Sequence, residues 1–197
     1  MTIFTVALIL FLVMNPLGQL KAFAKTLEGI DPKRTKEILT RELLIALGVM
    51  LFFDAIGEHI FNLLKISDVT VYLSLGIVLF LGAIKILFPR AEDYGFKRLE
   101  GEPFLVPIAI PMIAGPALLA TIMLYAETET GTYTTIIANV IAWFFGALVL
   151  LNYKRLLGFL GTSGVIACEK LMGMVLILIA VQRFMEGLMM FYQSVAA

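Results

Sequence analysis

Two apolar stretches of the sequence are each interrupted by a proline, in VMNPLG at residues 13–18 and in IAGPAL at residues 113–118. The two prolines, Pro16 and Pro116, lie one hundred residues apart. A proline inside an apolar helix removes a backbone hydrogen bond that lipid cannot replace. A single break can be a kink without function. Because the break occurs twice at matched positions, we predict that the exposed backbone groups there form a binding site.

The composition is that of a membrane protein. Of the 197 residues, 60% are hydrophobic and only 15% are charged, and the mean hydropathy is +0.97. A single soluble core cannot bury this much apolar surface. The net charge is zero, and no basic stripe with interleaved aromatic residues indicates binding to nucleic acid. The single cysteine, Cys168, excludes an intrachain disulfide and a cysteine-cluster metal site.

Six stretches are long and apolar enough to cross a bilayer, which takes about 20 residues. They cover approximately residues 3–27, 40–62, 69–88, 104–126, 133–153 and 169–192. A polar linker at residues 89–103 divides them three and three, and no soluble domain fits elsewhere. The sequence therefore predicts an all-α, polytopic membrane protein in which residues 1–197 form a single transmembrane domain.

The basic residues predict how the chain is oriented. With six spans, the loops at residues 28–39, 89–103 and 154–168 share one side of the membrane, and most lysines and arginines lie there. The opposite side holds essentially Lys65. By the positive-inside rule, the basic side is cytoplasmic. We therefore expect both termini outside a cytoplasmic (inner) membrane.

The two halves of the chain resemble each other beyond the prolines. LGIVL at residues 75–79 parallels MGMVL at residues 172–176, at an offset that has fallen to ninety-seven. Each half has an odd number of spans, so equivalent helices cross in opposite directions. The pattern predicts two inverted-topology three-helix repeats, residues 1–88 and 104–197, with helices 1 and 4 broken near the middle of the membrane.

The residues around both prolines suit a small ligand. Proline is favoured at the first position of a helix, so each proline is predicted to begin a half-helix whose free amides attract an anion such as a carboxylate. Gly18 and Gly115 permit close approach of another backbone, and Asn15 and Gln19 offer donors and acceptors. The predicted substrate site comprises Asn15, Pro16, Leu17, Gly18, Gln19, Ala114, Gly115, Pro116, Ala117 and Leu118.

Five polar side chains inside the second and sixth spans form a second predicted group, namely Asp54, Glu58, Gln182, Arg183 and Glu186. Charges at such positions are costly unless they are paired or face water. Asp54 and Glu58 are four apart and could form a proton-accepting pair, although Glu58 is alternatively solvated. Asp54 is the best candidate for proton coupling. Arg183 and Glu186 are three apart and could equally form a structural ion pair.

The motifs together resemble those of the MarC family of bacterial and archaeal membrane proteins. They are NPLG at residues 15–18, PIAIP at 107–111 followed by AGP at 114–116, and LMG at 171–173 leading to VQ at 181–182. The resemblance covers essentially the whole chain. It implies a six-span inner-membrane protein related to the LysE-type exporter superfamily and a small neutral amino acid, such as alanine or glycine, as substrate.

These observations favour a secondary transporter, not an enzyme, with the amino acid held between the two broken helices and the repeats rocking against each other. A passive small-solute channel and an accessory membrane subunit are the alternatives. An enzyme is disfavoured because no nucleophile and base occur at a recognisable spacing. We expect no metal and no cofactor. The bilayer and the amino acid are the expected partners, and a homo-oligomer is compatible with the apolar surface.

Overall fold

The computed structural model describes residues 2–27, 29–88, 113–128 and 132–196. Every regular element in these ranges is a helix, which confirms the all-α prediction. The helices are α1 (Ile3–Met14), α2 (Leu20–Thr26), α3 (Pro32–Leu64), α4 (Asp68–Leu87), α5 (Pro116–Thr128), α6 (Thr132–Leu151) and α7 (Tyr153–Ala196).

Some of the described helices have the length and the apolar surface of membrane spans. Within the described ranges, three stretches are long and apolar enough to cross a bilayer: Asp68–Leu87, Tyr133–Leu151 and Ser163–Val195. Helices α1 and α5 are apolar but shorter. Large apolar side chains are exposed on many faces, including Phe4 at 80% and Leu178 at 70%. Such an extensive apolar exterior is the surface that a polytopic membrane protein presents to lipid.

Helices α4 and α7 lie against each other in antiparallel orientation. Leu73 of α4 contacts Gly187 of α7, and Gly76 of α4 contacts Phe184 of α7. Residues with higher numbers on α4 therefore contact residues with lower numbers on α7. A Cβ at Gly76 would lie 2.8 Å from the backbone nitrogen of Phe184. The glycines therefore allow the two backbones to approach closely, as small residues do in membrane helix pairs.

The remaining helices form a second packed group. Helix α1 packs on α6, α3 packs on both α5 and α6, and α1 also contacts α5. The sulfur of Met14 lies against Gly146, and the Trp143 indole donates a hydrogen bond to the carbonyl of Leu43 at 2.8 Å. The buried core of this group includes Leu10, Met14, Leu43, Ala46, Ile113, Leu118, Ile122 and Ala142.

The helix ends extend well beyond the apolar stretches, which corrects two predicted loops. Helix α3 already begins at Pro32, and residues 154–168 are largely helical because α7 begins at Tyr153. A non-helical backbone at Gly161, with φ 64° and ψ 176°, interrupts α7. Hydropathy identifies only the apolar part of a helix, whereas the backbone hydrogen bonds of the helix continue into the polar sequence on either side. The predicted linker at 89–103 and residues 104–112 of the fourth span lie outside the described residues.

Candidate functional site

The first helix break is centred on Asn15. Helix α1 ends at Met14, and the buried Asn15 adopts a left-handed conformation with φ 49° and ψ 53°. Its amide donates to the carbonyls of Phe11 and Leu12, both at 3.1 Å. Asparagine tolerates this conformation better than most residues, and a residue before proline avoids the right-handed helical region. The predicted break in the first span is therefore present in the structure.

Residues 16–19 form a turn that two predicted site residues hold closed. The amide of Gly18 donates to Oδ1 of Asn15 at 3.3 Å, and Nε2 of Gln19 donates to the Met14 carbonyl at 2.8 Å. Helix α2 begins only at Leu20. The prediction that the proline begins the second half-helix is therefore wrong here, because the Asn15 side chain captures a backbone amide and sets a turn.

The residues of this turn differ in burial, and Gly18 lies against the side chain of Asn15. Pro16 is buried, whereas Leu17, Gly18 and Gln19 are half-buried. A Cβ at Gly18 would lie 2.8 Å from Oδ1 of Asn15. The capping hydrogen bond therefore requires glycine at this position.

The second break is followed directly by a helix. Pro116 is the first residue of α5, as predicted, and the Leu119 amide donates to the Gly115 carbonyl at 3.0 Å. Proline suits this position because the first helical amide has no intrahelical acceptor. Of the predicted residues in this half, Ala114 and Leu118 are buried, Gly115 and Ala117 are half-buried and Pro116 is exposed.

Side chains that flank the two breaks belong to the same buried clusters. Helices α1 and α5 contact each other, and Met14 and Ala114, which flank the breaks, belong to the same cluster of buried side chains. Val13 and Ala117 both pack against a neighbouring cluster. Helices α1 and α5 are therefore in contact, and side chains next to both breaks contribute to the same buried clusters.

A buried carboxylate lies between α3 and α6. Asp54 is 1% exposed, and its Oδ2 accepts a hydrogen bond from Nδ2 of Asn139 at 3.3 Å. The Oδ1 atoms of both residues have no hydrogen-bond partner among the described residues. Unpartnered buried acceptors are costly, and a proton or a cation would relieve that cost. Within the described ranges, no group of three or more metal-ligating side chains forms around it. The side chain of Glu58 lies outside the described part.

Arg183 joins α7 to two other helices. Its Nη1 pairs with Oε2 of Glu186 at 2.7 Å, and its Nη2 donates to the hydroxyl of Tyr125 on α5. The guanidinium carbon lies 5.1 Å from the Tyr125 ring centroid and 5.8 Å from that of Tyr72 on α4. Nε2 of Gln182 donates to Oε1 of Glu186 at 2.8 Å. Arg183 and Glu186 therefore form the ion pair that their spacing allows.

Asn139, Tyr72 and Tyr125 were not predicted from the sequence to belong to a functional site. A side-chain amide near the middle of an apolar span was the available signal for Asn139, because such groups need partners in a membrane. The two tyrosines gave no comparable signal, since their contact with Arg183 depends on how three helices pack.

The comparisons with known proteins agree with this architecture. The sequence model of the MarC family, described as MarC family integral membrane protein, matches residues 1–192. The chain is 44% identical over 194 residues to the inner membrane protein YhgN of Escherichia coli K12, covering 98% of each chain. It is 42% identical over 193 residues to a membrane protein of Buchnera aphidicola from Schizaphis graminum, again covering 98% of each.

A more distant relative is a membrane protein of Chlamydia pneumoniae, 30% identical over 186 residues and covering 92% of this chain and 91% of the relative. No solved structure matches the chain. The family match extends over both helix breaks and reaches residue 192, near the end of α7. The chain therefore belongs to the MarC family of integral membrane proteins.

Proposed function

We propose that this chain is a secondary transporter of a small neutral amino acid in the cytoplasmic membrane. It would span the membrane six times as two inverted repeats, with both termini outside. The observation that carries the proposal is the pair of helix breaks, whose flanking side chains belong to one buried cluster. Irregular backbone at membrane depth is tolerated where it is buried in protein or lines a cavity, and transporters use such backbone to bind substrate.

Matched contacts between α4 and α7 support the inverted repeat. Gly76 packs on Phe184, and Gly173 packs on Leu87. Under the offset of ninety-seven residues, Gly76 corresponds to Gly173 and Leu87 corresponds to Phe184, so each contact becomes the other when the halves are exchanged. An antiparallel contact between equivalent helices is the arrangement expected around a two-fold axis in the membrane plane.

The packing of α3 on α6 follows the same exchange. Under the offset of one hundred residues α3 corresponds to α6, so the pair α3–α6 maps onto itself, and these two helices are in contact. The hydrogen bond from Trp143 to Leu43 joins residues one hundred apart, as expected for equivalent positions near the axis.

The two helix ends at the breaks suit a zwitterion. The first-turn amides of α5 carry partial positive charge and would bind the substrate carboxylate. The last carbonyls of α1 carry partial negative charge and would receive its ammonium group. Gly115, Ala114 and Ala117 leave little bulk beside these ends, which favours a small side chain. The choice of alanine or glycine follows from the family resemblance.

Asp54 is the residue that we assign to proton coupling. It is buried between the two halves of the chain, on α3, and its one described hydrogen bond comes from Asn139 on α6. A carboxyl group changes its hydrogen bonding when it gains a proton, because it then becomes a donor. Protonation would therefore alter the contact between α3 and α6, which belong to opposite repeats.

The proposal is tested with the full-length protein in liposomes. We expect uptake of labelled alanine or glycine that exceeds equilibrium when a proton gradient is applied. Uptake that only equilibrates would favour the channel, and no movement of either amino acid under any ion gradient would remove the substrate assignment. Exchange of internal for external amino acid should survive in Asp54→Asn, whereas accumulation should not. Asp68→Asn, an exposed acid at the start of α4, is the matched control.

A further inference from the structure

A second concave site lies between the first turns of α3 and the junction of α6 and α7. This cavity has a volume of about 340 Å³ and is lined in part by Thr35, Lys36, Asn152, Lys154 and Arg155. The volume falls within the range of about 300–1,000 Å³ that small-molecule sites occupy. The proposed transport site does not use it.

The charge of the cavity is one-sided. Its described lining contains three cations, Lys36, Lys154 and Arg155, and no acidic residue. Glu37, the next residue after Lys36, pairs with Arg34 at 2.7 Å, and so does not neutralise the cavity. Three cations around one cavity without a carboxylate form an electrostatic site for an anion.

An exposed apolar stripe on α6 leads to the cavity. Ile137, Phe144, Leu148 and Leu151 are exposed at spacings that place them on one face of the helix, and Leu151 also lines the cavity. The stripe belongs to the membrane-length stretch Tyr133–Leu151. An acyl chain can therefore follow α6 through the bilayer and end where the cations begin.

We propose that this cavity binds the phosphate of an anionic phospholipid headgroup, while the acyl chain of the same molecule lies along the α6 stripe. The cavity lies on the basic side of the membrane, where anionic lipids and juxtamembrane cations attract each other. A free phosphate ion shares the headgroup chemistry. The continuity between apolar stripe and basic cavity favours the lipid, because only a lipid occupies both.

The test measures how tightly the full-length protein in detergent binds phosphatidylglycerol, by native mass spectrometry with increasing lipid. The Lys154→Gln/Arg155→Gln variant should bind about 25-fold more weakly, from about five-fold per cation removed. The Lys25→Gln/Lys33→Gln variant is the charge-matched control, because it removes two exposed cations outside the cavity and leaves the pair between Arg34 and Glu37 intact. The control should bind within about two-fold of the wild type.

Three outcomes would overturn the proposal. Equal losses in both variants would mean that general surface charge, and not the cavity, attracts the lipid. No loss in the cavity variant would mean that the lipid binds elsewhere. Inorganic phosphate that competes at the same concentration as phosphatidylglycerol would assign the site to a free anion. Equal thermal unfolding temperatures of the variants in uncharged detergent establish that both are folded.

Discussion

The two proline breaks occupy equivalent positions in the halves of the chain, yet they fold differently. After Asn15 the chain makes a four-residue turn before α2 begins at Leu20, whereas after Gly115 the helix α5 begins at once with Pro116. The first proline is buried and the second is exposed. The prolines are the same, so the difference must come from their neighbours.

The residue before each proline explains the difference. Asn15 has a side-chain oxygen that accepts the Gly18 amide at 3.3 Å, so the first break has a closed, side-chain-capped turn. Gly115 has no side chain, so the first-turn amides of α5 have no equivalent cap from that position. The first break is therefore mainly a structural turn, and the second offers the better anion-binding end.

The largest effect that this comparison predicts is on transport in Gly115→Leu. Under the proposed function, a leucine at this position would fill the space beside the α5 amides and keep a substrate carboxylate from reaching them. We expect transport in liposomes to fall by about 100-fold, equivalent to about 2.7 kcal/mol.

Gly82→Leu is the control for this variant, because a Cβ at Gly82 of α4 meets nothing within 4 Å. It makes the same change in size at a position with open space. If Gly115→Leu transported amino acid as well as Gly82→Leu does, the α5 end would not be the substrate site and the comparison would fail.

The next effect is on stability, in Gly18→Ala. The added Cβ would lie 2.8 Å from Oδ1 of Asn15, so the capped turn must open or shift. We expect the free energy of unfolding to fall by about 1–3 kcal/mol, measured by thermal or denaturant unfolding in detergent. Gly48→Ala, in the open middle of α3, should instead gain about 0.5–1 kcal/mol from helix propensity. A shift of the same sign in both variants would contradict the capped turn.

The positions of the breaks were predictable because they follow from the chemistry of single residues. Proline and its preceding residue restrict the backbone whatever the surroundings. The turn at residues 16–19 was not predictable in the same way, since it depends on the left-handed conformation of Asn15 and on glycine three residues later. Proline alone gives no information on either.

Contacts between helices were harder to predict than the helices themselves. The hydrogen bond between Asp54 and Asn139 joins residues 85 apart, and Arg183 reaches Tyr125 at a separation of 58. Lipid-facing and helix-facing surfaces are both apolar in a membrane protein, so hydropathy does not determine which faces meet. Internal repetition predicts which helices are equivalent, but it does not predict which atoms touch.

A smaller effect separates the two functions of Asn15. Asn15→Gly removes the side-chain cap but keeps a residue that adopts positive φ easily, whereas Asn15→Ala removes the cap and adds steric strain. We expect Asn15→Ala to be less stable than Asn15→Gly by about 1 kcal/mol. Thermal unfolding of both variants in the same detergent measures the difference. Equal stability would mean that the backbone at residue 15 has relaxed out of the left-handed region. The left-handed conformation of Asn15 would then not stabilise the turn.

The smallest effect should come from Pro116→Ala. Alanine is also accepted at the first position of a helix, and the Leu119 amide can still donate to the Gly115 carbonyl. We expect a stability change of no more than about 0.5 kcal/mol and transport within about two-fold of the wild type. Because Gly115→Leu at the neighbouring position should nearly abolish transport, the two variants separate the proline ring from the space beside it. Loss of transport in Pro116→Ala would show that the ring itself sets the start of α5, and the contrast between the two breaks would then lie in the prolines after all.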